Sequence, residues 1–246
     1  MIRKIILISV FASFLFNCEK ELQNADSIVQ KSILVSGAEM LQNSKIAFEF
    51  RDKQYSATRH NGQFALSRLI IKTSDSIFDV LDNNGFNRYI NGERIKLADS
   101  TALKYSASVN SVHYFSVLPY GLDSKAVNKS FLGTTKIKGM EYYKIKITFN
   151  EDGGGEDFED VFIYWIHTKT FKADYLAYSY SENHGVGLRF REAYNERFIE
   201  GIRFVDYNNY KPKADDAVLE HLDSKFENNE LELLSKIELE NVLVLL

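Results

Sequence analysis

A chain of 246 residues with net charge −4, 45 % hydrophobic and 26 % charged residues has an ordinary globular composition and lacks the basic excess of a nucleic-acid binder. Its single cysteine excludes an internal disulfide. Two prolines and no Pro- or Ser-rich run leave no linker to divide it, so one domain is expected over residues 26–246, without repeats.

Arg3 and Lys4 precede an apolar run from Ile5 to Phe16. The run is too short to cross a bilayer, which takes about 20 residues, but it has signal-peptide length. It ends at Leu15-Phe16-Asn17-Cys18, which resembles the lipobox of bacterial lipoproteins, with Asn17 where that motif carries a small residue. The resemblance implies a signal peptide over residues 1–17, acylation of Cys18 and a lipidated tether over 18–25. Several acyl chains on one residue anchor stably, which gives an envelope protein held to a membrane, the outer membrane first. An uncleaved signal anchor with an incidental thiol is the alternative.

Next comes a predicted helix in DSIVQKSILVSGAEMLQN, with Ile28, Val29, Ile33, Ala38 and Leu41 as its apolar set and Asp26 or Ser27 as N-cap. From Lys45 the period changes to two: Ile46, Phe48 and Phe50 point one way, Lys45, Glu49 and Arg51 the other. Asn61-Gly62, Asn84-Gly85 and Asn91-Gly92 accept the positive φ of tight hairpin turns and predict an antiparallel meander. A second helix is expected from about Asp99 to Leu118, with Leu103, Val109, Val112 and Phe115 near one face and Pro119 as its stop. Six strands should follow, then a short helix in ADDAVLEHLDSKFE and one closing strand in SKIELENVLVLL. The fold class is α+β with a large antiparallel sheet.

The strands differ in patterning. EYYKIKITF alternates Tyr143, Ile145, Ile147 and Phe149 against Tyr142, Lys144, Lys146 and Thr148, which predicts one wet face. VFIYWIHT is apolar on both faces, with Val161, Ile163 and Trp165 opposite Phe162, Tyr164 and Ile166, so both faces must be covered. These aromatics are either simple core or the wall of an apolar cavity. The cavity reading takes Phe48, Phe50, Arg68, Tyr143, Trp165, Tyr175, Phe190 and Phe204 as ligand-binding candidates. It places Trp165 on the wall, with Tyr164 and Tyr178 on the opposite side of the sheet.

A lipobox, an N-terminal helix, FEFR opening a meander, a mid-chain helix and YWIHTKTFKADYLAYSY together resemble the LolA/LolB type of lipoprotein carrier. That resemblance implies an unclosed half-barrel with helices packed as a lid, and a lipid or acylated protein as ligand. The lipid anchor places the chain nearer the anchored LolB type. GGGEDFEDVFIYWI, RFREAYN and GIRFVDYNNYKP are also similar to a family of Bacteroidetes-type Gram-negative envelope lipoproteins that has no activity to lend.

Enzyme motifs are absent: no G-x-S-x-G, Walker loop, H-E-x-x-H or G-x-G-x-x-G occurs. The five histidines are scattered without metal spacing and read as surface or turn residues. NEDGGGEDFED could hold Ca²⁺ or be a solvated hairpin loop, and its spacing fits no established calcium loop. Arg68 could meet a ligand headgroup or, with Lys72, face solvent. No catalytic residue, metal or cofactor is expected, and the partners are a membrane and an apolar ligand, with no nucleic acid. The rival readings are a scaffold lipoprotein with a fully packed sheet and an enzyme of unrecognised type.

Overall fold

A computed structural model describes residues 24–155, 158–182 and 185–246. Residues 1–17 and Cys18, and with them the expected signal peptide and lipidation site, lie outside the described residues. Helix α1 spans Ala25–Val35, capped by the Asn24 side chain, which accepts from the Asp26 N–H at 2.9 Å. The cap is thus two or three residues earlier than the sequence suggested, and the helix stops at Val35. Gly37 takes φ 62°, and a 3-10 segment carries Ala38–Asn43. A Cβ on Gly37 would lie 2.2 Å from the Gly201 carbonyl oxygen, so only glycine permits this close approach.

The first sheet is the expected meander: β1 (Ser44–Phe50), β2 (Lys53–His60), β3 (Gln63–Ile71), β4 (Ser76–Asp82), β5 (Gly85–Ile90) and β6 (Glu93–Ile95). Asn61-Gly62 and Asn91-Gly92 carry the positive φ pairs their sequence foretold. The β4–β5 turn instead uses Asn83-Asn84, and Gly85 opens β5. Helix α2 (Asp99–Ser116) packs on β3, β4 and β5 through Ser106, Val109 and His113. Leu103, expected on its buried face, is 56 % exposed.

The second sheet comprises β7 (Val127–Ile137), β8 (Met140–Phe149), β9 (Val161–His167), β10 (Ala173–Glu182), β11 (Gly185–Ile199), β12 (Ile202–Pro212) and β13 (Leu231–Ile237), in that spatial order. The closing segment is not one strand. It breaks at Glu238–Leu239, and β14 (Glu240–Leu245) crosses to pair with β1 of the first sheet. Asp206 holds the break, accepting from the Leu239 N–H at 3.0 Å while pairing with Arg197 at 3.1 Å. The architecture is α+β and antiparallel. It is also unclosed, because β6 and β7 are edges that do not pair.

Strand β9 is buried on both faces, as its patterning required. The inner face, with Phe162, Tyr164 and Ile166, joins the main core with α1, β1 and β2. The outer face, with Ile163 and Trp165, packs with Tyr175 and Phe190 beneath Leu219, Leu222 and Phe226. That cover comes from a short 3-10 turn (Leu219–His221) and α3 (Leu222–Glu227). The same cover closes the lysine face of β8 that read as wet. Lys144 donates to buried Asp223 at 3.1 Å, and Trp165 Nε1 donates to the same carboxylate at 3.2 Å.

Candidate binding cleft

Strands put alternate side chains on one face, and on the inner face of β9–β12 that rule aligns Phe162, Tyr178, Arg189, Arg191, Val205 and Tyr207. Helix α2 lies opposite, presenting Ala107, Ser111, Val112 and Phe115. Between them is a cleft of about 980 Å³, lined also by Phe50, Phe149, Ile237 and Leu239. This volume lies at the upper end of the roughly 300–1,000 Å³ typical of ligand pockets. Its aromatics contact one another: Phe162 stacks on Tyr178 at 5.4 Å, and Phe115 lies 5.1 Å from Tyr178. Exposed Lys104 and Glu159 stand at the rim.

Asp160 and Arg189 line the cleft half-buried, and the one buried charge is Arg191. Arg191 is 7 % exposed and lies over the Phe115 ring at 3.8 Å, and its Nη2 donates to the Tyr178 hydroxyl at 2.9 Å. Its Nε and Nη1 are buried without an acceptor, and among the described residues no carboxylate pairs with it. Arg59 is likewise buried with its Nη1 unmatched and lies over the Tyr120 ring, whereas three other buried arginines are paired. Arg68 and Arg88 share Asp79, and Arg203 pairs with Asp174 and Glu196. Nearby phenols supply no countercharge. Burial pushes Tyr114 up to about 12 and raises Tyr164 and Tyr207 as well, so all three stay protonated. The Tyr114 and Tyr164 hydroxyls are themselves buried without a bond of good geometry. Even a bond between them would leave one proton without an acceptor.

Of the sequence candidates, only Phe50 lines this cleft. Phe48 is core, stacked on Tyr55 at 5.3 Å and edge-on to His113. Arg68 reaches neither ligand space nor solvent: it is 6 % exposed, ion-paired to Asp79, and donates to Ser108 at 2.8 Å. Tyr143 packs on Phe131 and Phe171 away from the cleft. Trp165, Tyr175 and Phe190 lie on the outer face under α3, and Phe204 is fully buried in the main core. Trp165 and Tyr178 thus have their sides exchanged relative to expectation. When both faces of a strand are apolar, composition does not tell inside from outside.

Arg191, Phe115, Phe162 and Tyr178 are the residues the sequence reading missed. A signal existed in GLRFREAYN, where Arg189 and Arg191 share one face and Leu188 and Phe190 the other. His113, expected at the surface, is 1 % exposed on α2, and its Nε2 lies 2.9 Å from the Ser67 carbonyl. The acidic loop is not simply solvated, since Gly154, Gly155 and Asp160 border the cleft. Among the described residues no group of His, Cys, Asp or Glu could hold a metal ion, and no helix is long and apolar enough to cross a membrane. Glu156 and Asp157 of that loop lie outside the described residues.

Residues 4–239 match a family described as "Family of unknown function (DUF6503)". No curated protein matches the sequence. Three solved structures are similar to this chain over most of its length. A LolA superfamily protein from Nitrosomonas europaea has 12 % identity over 89 % of this chain and 93 % of that one, with a TM-score of 0.45. A DUF1329 family protein from Desulfovibrio piger has 11 % identity over 89 % and 92 %, at 0.42. A domain described as an outer membrane lipoprotein-sorting protein, from Vibrio parahaemolyticus, has 7 % identity over 90 % and 93 %, at 0.46.

Proposed function

The chain belongs to the DUF6503 family, and we propose that it is a non-catalytic binding protein that holds the apolar chain of an amphiphile in the cleft between α2 and β9–β12. The carrying observation is an asymmetry across one sheet. The outer face of β9 is filled by Trp165, Phe190 and Phe226, whereas its inner face borders about 980 Å³ of unfilled space with aromatic side chains along it. Apolar surface that the fold leaves uncovered is favourable to cover with a hydrocarbon chain. With the lipobox-like Leu15–Cys18, we place the protein in the cell envelope, anchored through acyl chains on Cys18.

The test is calorimetric titration of delipidated protein with hexadecanoate monomers, beside Ser111→Trp, which puts an indole into the cleft from α2. Saturable one-to-one binding is expected in the parent and its loss in the variant, with the melting temperature of the ligand-free protein little changed. Absence of saturable binding in the parent, or unchanged binding in the variant, overturns the reading.

A further inference from the structure

A buried cation without a counterion is costly, and proteins normally neutralise, pair or expose it. Arg191 does none of these. It is held in the wall of the cleft by the Tyr178 hydroxyl and the face of Phe115, with Nε and Nη1 unmatched. Its cross-strand neighbour does not complete it. Asn209 pairs with Arg191 in the β11–β12 register, yet its Oδ1 is also unpartnered and its Nδ2 donates to Ser235 at 3.2 Å. The Tyr114 hydroxyl, which also borders the cleft, adds a second orphaned donor. The Nε and Nη1 of Arg191 can only donate, so the group that completes them is an acceptor, and the unpaired positive charge favours an anion.

We propose that this wall of the cleft is an oxyanion subsite, in which Arg191 and the Tyr114 hydroxyl bind the carboxylate or phosphate headgroup of the amphiphile whose chain fills the cleft. The proposal rests on the chain-binding reading and adds to it the class and orientation of the ligand. The headgroup lies inward beside β11, and the chain runs along the aromatic surface of Phe162, Tyr178 and Phe149. The ring of Phe115 covers the guanidinium in the empty protein, and the headgroup reaches Arg191 as that ring turns aside. Arginine suits the role because its planar donors match both oxyanions and it stays charged when desolvated.

The experiment is a headgroup series on delipidated protein, with hexadecanoate, hexadecyl phosphate, hexadecan-1-ol and hexadecylamine titrated as monomers. The parent is expected to bind at least one oxyanion about tenfold or more tightly than the alcohol, the scale of a charge-assisted hydrogen bond. Whether carboxylate or phosphate is the tighter identifies the headgroup. Arg191→Gln should erase the preference, bringing hexadecanoate and hexadecyl phosphate to the affinity of hexadecan-1-ol for the same variant, and Arg191→Lys should retain part of it. Equal binding of the alcohol or the amine by the parent overturns the subsite and leaves the chain-binding reading standing. A preference that survives in Arg191→Gln overturns it too. If no member of the series binds, both fall together. Should Arg191→Gln fail to fold, the series on the parent still decides.

Discussion

His113 shows how much a single residue of this chain takes from its surroundings. It sits on the buried face of α2, edge-on to Phe48 and Tyr55, and its Nε2–H donates to the Ser67 carbonyl. Burial lowers its pKa from 6.5 to about 4, with Arg59 and Arg68 pushing the same way against the Ser67 hydrogen bond. The unfolded chain therefore takes up this proton first as pH falls. The stability that neutral His113 contributes is complete above about pH 6.5 and is lost as pH drops toward 4, by about 3 kcal/mol at 1.36 kcal/mol per unit. Urea unfolding of the parent and His113→Gln at pH 7 and pH 4.5 should show a steeper loss in the parent, and equal losses would contradict this account. Neither His113 nor Arg68 was legible as buried, because the groups that satisfy them are distant in sequence. The Ser67 carbonyl lies 46 positions from His113, and Asp79 lies 11 from Arg68.

At the scale of elements, what was legible was local. Asn-Gly pairs announced two of the hairpins, and the doubly apolar β9 announced cover on both sides. The side chosen for the cleft depended on α3, whose Asp223 lies 58 positions beyond Trp165. The same distance hid the closure of the β8 lysine face. The assignment of faces has an optical consequence. Trp165 is the only tryptophan and is fully buried against Phe190, 5.4 Å away, on the side of the sheet opposite the cleft. Its emission should be blue-shifted and should not move when hexadecanoate binds, and Trp165→Ala should cost about 3–5 kcal/mol as a packed aromatic. A ligand-dependent shift would place the chain on the outer face instead.

In the described residues two antiparallel sheets are linked through the break between β13 and β14, α2 packs on the first sheet, and a mostly apolar cleft lies between α2 and the second. Sequence patterning conveyed the α+β class and the long antiparallel sheet, since both follow from period-two alternation. It did not convey the cleft, which is the space left when α2 spans the first sheet without filling the second. Filling that space should stabilise the folded state, by about 2.7 kcal/mol at a hundredfold excess over Kd. The most direct measurement is native mass spectrometry of the tagless protein, purified without detergent and set beside Ser111→Trp prepared identically. The account predicts a non-covalent adduct at one copy per chain, carrying an acyl or alkyl chain, that is absent from the variant. A parent free of adduct that also fails to take up any added long-chain amphiphile would contradict it.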